Sequence, residues 1–236
     1  MRQTLFESMT NTLHRYGDPD TLKNDYIVFA IATRKRNDEN SVEKFKTFLR
    51  LAAQHNPVNM GDATKGGMYQ PSKSLTPIVH WHREDPIRIQ EVIEGIDKPT
   101  TAAAVFDNLQ AVKEFLEDLK KADLGLSINI SALTDDANRC CKEVGITRHS
   151  VEYSLGFRGA LDKLPDRQVL EITTMCGHGM ISAHFAKKMI DWVKEGRRTP
   201  EEATRYMARF CSCGVFNPVR AKQLLEQVCR SKAGSK

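Results

Sequence analysis

The sequence lacks long hydrophobic runs. Its longest apolar segments, such as residues 27–32 and 102–106, are far shorter than the roughly 20 residues that a helix needs to cross a bilayer. The first residues reach an acidic side chain at Glu7 without forming the apolar stretch of a secretory signal. These absences argue against a helical membrane protein, and we expect a cytosolic protein with no membrane partner.

Cysteine is absent from the first 139 residues. The six cysteines of the chain all lie in the remaining part: Cys140, Cys141, Cys176, Cys211, Cys213 and Cys229. A secreted domain stapled by disulfides is usually much shorter and has its bridges spread through the chain. In a reducing cytosol, clustered cysteines indicate metal, iron–sulfur or thiol chemistry, although free cysteine also packs as a small buried hydrophobe.

Several common catalytic fingerprints are missing as well. The chain has no GxSxG, HExxH or GxGxxG motif. Residues 61–67 (GDATKGG) are rich in glycine but lack the order of a phosphate-binding P-loop. We interpret this segment as a lid or binding loop, in which Lys65 is a candidate cofactor-binding residue.

The hydrophobic pattern predicts an α/β fold, with a layered α/β domain followed by an all-helical region. The α/β domain covers residues 1–158, with strands near 26–33, 78–82, 100–106, 124–130 and 150–157 and helices between them. The helical region covers residues 159–236, with helices near 166–174, 183–194, 200–210 and 218–230. With 40% hydrophobic residues, the chain has enough apolar material to form these cores without disulfides or metal.

Local signals place several helix starts. Ser41 and Asn108 are predicted N-caps of two helices in the α/β domain. Thr199 and Glu202 have the spacing of a capping box, with a proline at the first helical position. Asn217 precedes Pro218 in the same way, and therefore predicts the start of the last helix.

The positive charge is concentrated in the C-terminal part. The formal net charge of +5 divides into +7 for residues 183–236 and −2 for residues 1–182. This segment could bind a small anionic substrate, an acidic electron-carrier protein or, with weaker support, nucleic acid. The alternative is a solvated helical surface, because glutamates are interspersed with the lysines and arginines.

Two cysteine-containing segments give the strongest functional signal. Residues 175–180 (MCGHGM) and 211–218 (CSCGVFNP) combine cysteine with glycine in breaks that precede helix N-termini. The positive end of a helix dipole lowers thiolate pKa and favours an anionic centre. We therefore predict Cys176, Cys211 and Cys213 as metal ligands. They fit a [4Fe–4S] cluster whose fourth iron is left to substrate, a small ligand, His178 or Cys229.

Other chemistries fit the same residues. His178 could complete a tetrahedral Cys₃His zinc site, which would favour a non-catalytic module that binds a protein or nucleic acid. Cys211 and Cys213 could also form a thiol redox pair. The remaining cysteines, Cys140, Cys141 and Cys229, lie within predicted helices, so we expect them to be packing residues.

Three further residues are candidates outside the cysteine segments. His80 and His82 lie two apart on a predicted strand, so their imidazoles face the same side and could chelate one metal, act in catalysis or meet an anionic substrate. Arg158 stands beside two glycines at the end of another predicted strand and could bind an anionic part of a cofactor. Together these features predict a metal- or iron–sulfur-dependent protein, and we expect an enzyme in which His178 donates a proton or serves as a ligand.

Overall fold

A computed structural model describes residues 7–69, 86–153 and 156–233 of the chain. These residues form a seven-stranded mixed sheet flanked by helices, which confirms the α/β fold class. The strands are β1 (Ser8–Thr12), β2 (Tyr26–Ile31), β3 (Asn59–Asp62), β4 (Gly66–Gly67), β5 (Thr101–Phe106), β6 (Ser127–Ser131) and β7 (Thr147–Val151). The helices are α1 (Pro19–Leu22), α2 (Ser41–Ala53), α3 (Ile89–Glu94), α4 (Leu109–Ala122), α5 (Thr134–Val144), α6 (Arg167–Thr173), α7 (Ala183–Lys194), α8 (Pro200–Ala208) and α9 (Pro218–Ala233).

The sheet has the strand order β4-β3-β5-β2-β6-β1-β7. Strand β2 is central and runs antiparallel to β5 and β6. Strand β3 also runs antiparallel to β5, whereas β1 lies parallel to both β6 and β7. This arrangement puts the apolar β2 in the middle of the sheet, where both of its faces are covered.

Alternating side chains of β2 serve two different hydrophobic cores. Tyr26, Val28 and Ala30 face the first core, which they share with helices α2, α4 and α5. Ile27 lies on the opposite face, in a second core built largely from α6 to α9. The helical segment therefore packs directly on the sheet.

Several helix boundaries follow the local signals of the sequence. Helix α7 has the predicted bounds, and the Thr199–Glu202 capping box is present at the start of α8. The Asn108 side chain accepts a hydrogen bond from Ala111 N at the start of α4. At the last helix, Asn217 Oδ1 accepts from Arg220 N at 3.0 Å. Each of these caps satisfies an amide that the helix itself leaves without a partner.

Other expectations from the sequence are wrong. Strands β1, β3 and β4 were not predicted, and the strand expected over 150–157 is instead β7, Thr147–Val151. Helix α2 does begin at Ser41, but its N-cap is Asn40 in a left-handed conformation, without a side-chain cap bond. The predicted strand at 78–82 lies outside the described residues. In the part of the chain that the structure describes, no helix is long and apolar enough to span a membrane.

Candidate functional site

The three predicted cysteine ligands lie together although the first two are 35 positions apart in the chain. Cys176 lies in the connection between α6 and α7, residues 174–182, which we call the CGH loop. Cys211 and Cys213 lie in the connection between α8 and α9, residues 209–217, which we call the CSC loop. All three side chains are buried in the second core.

Their sulfurs lie close enough to affect one another. Cys211 Sγ and Cys213 Sγ are 3.9 Å apart, and Cys176 contacts Cys211 on the other side. Backbone amides also point at the sulfurs. The amides of His178 and Met180 donate to Cys176, that of Cys213 donates to Cys211, and that of Val215 donates to Cys213. Donors around a sulfur stabilise its thiolate form, whether the thiolate is free or bound to a metal.

The three thiols differ in acidity. The contact with Cys211, the amide of Val215 and the charge of Arg15 outweigh burial and lower the pKa of Cys213. The contact with Cys176 lowers the pKa of Cys211, but the contact with Cys213 and burial outweigh it, so that the pKa is raised. The contact with Cys211 and burial raise the pKa of Cys176. Cys213 is therefore the thiol that loses its proton first.

The CSC loop is wedged against the backbone of the β3–β4 hairpin. Gly214 has a φ of +75°, and a Cβ atom there would lie 2.6 Å from the backbone carbon of Met60. A Cβ on Gly67 would in turn lie 2.5 Å from Gly214 Cα. Only glycine fits this contact, since it has no Cβ and adopts positive φ without strain. The Asn59 side chain adds a 2.8 Å hydrogen bond to Phe216 O.

The CGH loop is open by comparison. A Cβ atom on Gly177 or Gly179 would meet no other atom within 4 Å, and His178 between them is exposed. The buried Cys176 thus lies at the inner end of the loop, whereas there is empty space around the outer residues Gly177 and Gly179. The cysteine site has one tightly packed half and one open half.

A buried arginine joins the two loops. Arg15 donates to Met175 O at 3.2 Å, next to Cys176, and to Val215 O at 2.5 Å, two residues after Cys213. Its Nε donates to Asp25 Oδ2 at 2.7 Å. The guanidinium therefore ties the two cysteine loops to each other, and its positive charge acts on Cys213.

Asp25 is the centre of a larger buried network. Its Oδ2 also accepts from Arg220 Nη1 at 3.0 Å, and its Oδ1 accepts from Asn217 Nδ2 at 3.0 Å. Arg220 donates further to Tyr16 O and Thr21 O. The side chains of Arg15, Asp25 and Arg220 are at most 1% exposed. The buried Glu171 adds a second carboxylate near Arg220, so the charges of the network balance, and Arg15 is its member whose positive charge acts on Cys213.

A cavity of about 420 Å³ opens next to the CSC and CGH loops, on the sheet face that carries the second core. Its floor consists of side chains from β2 and β5, including Phe29 and Ala103. Cys213, Gly177 and His178 form part of the wall, and His14 and Asn129 are also in its lining. Small-molecule sites have this combination of an apolar floor with a few polar groups.

The other predicted site residues are distributed differently. His178 lies in the cavity wall, but its backbone amide, rather than its ring, is the group that contacts Cys176. Lys65 Nζ forms a 2.6 Å ion pair with Asp97. Arg158 is exposed, and neither Lys65 nor Arg158 is among the described residues that line the cavity. His80 and His82 lie outside the described part of the chain.

The remaining cysteines divide into two groups. Cys140 and Cys141 are buried in the first core, as expected for packing residues, and Cys141 contacts the sulfur of Met9 at 3.5 Å. Burial, followed by the neighbouring Cys141, raises the pKa of Cys140 to about 12. Cys229 is exposed, so its expected packing role is wrong. It lies near the end of α9, where its side chain points away from the core.

Sequence reasoning missed the residues that organise the cysteine loops. Arg15, Asp25 and Asn59 are distant in sequence from both loops and belong to no local pattern. The local signals of Asn217 as a cap and Gly214 after the second cysteine were the only pointers to this packing. Burial of a charged group is a property of the folded chain, which a single sequence does not show.

Among the described residues, no three His, Cys, Asp or Glu side chains are already arranged as a site for a metal ion. In the structure, the cysteine sulfurs contact one another instead. No protein family, no curated protein and no solved structure matches the chain. The functional assignment therefore depends on the chemistry of the cysteine site and the adjoining cavity.

Proposed function

We propose that the protein is an enzyme that holds a [4Fe–4S] cluster through Cys176, Cys211 and Cys213. The observation that carries this proposal is the meeting of three buried thiols from two distant loops, with four backbone amides directed at their sulfurs. Cysteines that only fill a core do not need such donors. The same donors would stabilise the thiolates that ligate iron.

The charges around the site agree with an anionic centre. Three thiolates on a [4Fe–4S]²⁺ core carry one net negative charge. The positive charge of Arg15 acts on Cys213 and favours such a centre, whereas the network as a whole is balanced, with the carboxylates of Asp25 and Glu171 opposite Arg15 and Arg220. A buried charge is tolerated where an opposite charge lies near it, so Arg15 and the cluster would stabilise each other.

The cavity favours a catalytic role over a structural one. Structural zinc sites are closed by four protein ligands, whereas catalytic sites keep a position open to substrate. Here Cys213 lies in the wall of a cavity of about 420 Å³. With three cysteine ligands, the fourth iron would be free to bind and polarise a small anionic substrate. His178, in the same wall, is our candidate for the proton donor or fourth ligand.

The polypeptide would perform three tasks in this enzyme. Arg15 would keep the two loops side by side through its bonds to Met175 O and Val215 O while the sulfurs move apart to make room for the cluster. The apolar floor around Phe29 would exclude water from the reacting group. The basic C-terminal segment is where an acidic electron-carrier protein would dock, while binding of nucleic acid remains a weaker alternative.

The test is anaerobic purification followed by analysis of iron, acid-labile sulfide and zinc. We expect brown protein with broad visible absorbance and close to four irons and four sulfides per chain. Cys176→Ala, Cys211→Ala and Cys213→Ala should each lose most of the iron. Cys229→Ala, the exposed cysteine, is the matched control and should retain it. Iron-free wild-type protein, or three site variants that all keep their iron, would refute the proposal.

A second candidate rests on the short distance between two sulfurs. A tetrahedral zinc ion with Zn–S distances of about 2.3 Å separates its sulfurs by about 3.8 Å. The 3.9 Å between Cys211 and Cys213 suits that geometry, and it also suits a thiol pair that is oxidised reversibly. Colourless protein with one zinc would favour the structural zinc module. Metal-free protein whose Cys211 and Cys213 respond reversibly to oxidant would favour thiol redox chemistry.

A further inference from the structure

The cavity beside the cysteine site has a flat apolar floor. Ile27, Phe29 and Ile31 are alternate residues of β2, so they share one face of the strand. Ala103 of β5 pairs with Phe29 in the sheet and contributes only a methyl group beside that ring. A small side chain next to a large one leaves a shallow apolar slot. A planar or branched hydrocarbon body would fill it.

One polar edge of this floor offers hydrogen-bond donors. Asn129 of β6 pairs with Phe29 on its other side. Its Oδ1 accepts from Thr12 Oγ1 at 3.1 Å. This bond fixes the orientation of the amide and leaves Nδ2 as the part of it that can bind a ligand. No described residue accepts from that Nδ2. The amide therefore presents N–H donors to a ligand at this edge.

His14 stands at the same edge. Its ring packs edge-on against Phe29, with 5.7 Å between the ring centroids and 78° between the planes. Partial withdrawal from water, followed by the charge of Arg15, lowers the pKa of His14. The imidazole is thus neutral near pH 7 and has one N–H donor. Together with Asn129 it forms a donor pair at one end of the apolar slot.

The charges of the lining exclude one class of ligand. None of the described residues that line the cavity is Asp or Glu, whereas Arg15 is among them. A cationic ligand would find no carboxylate in this lining and would meet the positive charge of Arg15, and the acid shown to act on His14 is Glu152, which lies outside the lining. A ligand with a carbonyl or carboxylate oxygen would match the donors and the sign of the charge.

We propose that the cavity binds a substrate with a flat apolar body on Phe29 and an oxygen-acceptor head group, carboxylate or carbonyl, held by Asn129 and His14. The proposal rests on the proposed function for the role of the bound molecule as substrate. A cavity of about 420 Å³ suits a body of one or two fused rings. Its position places the molecule against Cys213, one of the residues that would hold the cluster.

The test uses three naphthalene probes that differ only in the head group: 2-naphthoate, 2-naphthamide and 2-naphthylmethylammonium. Binding is measured by saturation-transfer NMR titration on the anaerobically purified protein. We expect naphthoate, naphthamide or both to bind, and the ammonium probe to bind at least about tenfold more weakly. Equal or better binding of the ammonium probe, or no binding of any probe, would overturn the proposal.

Two variants locate the binding. Asn129→Asp can still accept from Thr12 but loses the amide donors, and should weaken the acceptor probes by about tenfold. Ala63→Trp, at an exposed position of the lining, should block all binding. Asn108→Asp is the matched control, because aspartate also caps a helix and the site is remote. Unchanged affinity in both cavity variants would refute this location.

The same measurements show whether the cavity proposal or the cluster proposal is wrong. Cys213→Ala protein without iron should still bind the acceptor probe, because this cysteine only borders the cavity. In wild-type protein, the bound probe should shift the electron paramagnetic resonance signal of the reduced cluster. Probe binding by iron-free wild-type protein would support the cavity and refute the cluster. Wild-type protein that contains iron but binds no probe would support the cluster and refute the cavity proposal.

Discussion

Replacing Arg15 by methionine removes a buried charge while keeping a side chain of similar length. In the native protein this guanidinium bonds to Asp25, Met175 O and Val215 O. Breaking one partner from a buried ion pair typically costs about 3–5 kcal/mol. Because Asp25 would keep its bonds to Arg220 and Asn217, we expect the loss of the ion pair itself to cost the lower end of that range.

The two carbonyl groups add to this cost. A buried acceptor that loses its donor costs about 1–3 kcal/mol, and the loops that carry Met175 O and Val215 O would both be affected. With about 3 kcal/mol for the ion pair and at least about 1 kcal/mol for each carbonyl, we expect a total loss of at least about 5 kcal/mol in the free energy of unfolding. Such a loss is a large fraction of the stability of a typical domain, about 5–15 kcal/mol.

Urea unfolding of metal-free protein, followed by circular dichroism, measures this loss. Arg15→Lys is the second variant, because it keeps the charge but loses the fork that reaches both carbonyls. It should fold, lose about 1–3 kcal/mol and retain less iron than wild type. Arg88→Met is the control, since that arginine is 85% exposed in its pair with Glu91 and should change little. A loss below about 1 kcal/mol in Arg15→Met would refute the conclusion that Arg15 ties the two cysteine loops together.

Two further predictions concern the CSC loop and the other thiols. Gly214→Ala should destabilise the protein and reduce iron content, because its Cβ would lie 2.6 Å from the backbone of Met60 at a positive φ; unchanged unfolding and iron content would contradict this packing. In native protein at pH 8, iodoacetamide should alkylate the exposed Cys229 quickly and leave Cys140 intact, because burial raises the pKa of Cys140 to about 12 and so keeps the thiolate scarce. Mass spectrometry of peptides checks this, and rapid labelling of Cys140 would show that its core opens readily.

The elements that the sequence predicted are those with strong local signals. Helix α7 combines an apolar stripe with Ser182 as its N-cap, and its bounds were predicted correctly. Strand β1 (SMTNT) gave no such signal because its polar side chains are satisfied only by distant partners. Asn11 Nδ2, for example, donates to Ile130 O and Ala132 O.

Strand β3 (NMGD) was missed for another reason. Asn, Gly and Asp usually indicate a turn, and the sequence of residues 61–67, which overlap this strand, indicates a lid or binding loop. In the fold, Gly61 lets the hairpin backbones approach, since a Cβ there would lie 2.5 Å from Gly66 O. The residues that favour a loop in isolation are here required by close packing against the CSC loop.

The cysteine site shows a similar division between local and distant information. Cysteine with glycine before a helix start drew attention to both loops, and those loops do meet in the fold. The buried Arg15, Asp25 and Arg220 could not be identified in advance among 35 basic and 30 acidic residues. Their selection depends on which charges the folded chain buries, and that is decided by contacts between α9 and the chain segment that joins β1 to β2.

The asymmetry between the two loops bears on how a cluster would enter the site. The CSC loop is wedged by Gly214 against the β3–β4 hairpin, and it supplies Cys213, whose pKa is lowered by its contact with Cys211. The CGH loop has open space around Gly177 and Gly179. A centre larger than the present spacing of the sulfurs requires one loop to move outward. Because the packing resists this on the CSC side, the cluster would bind first to the fixed cysteines, and Cys176 would close on it last.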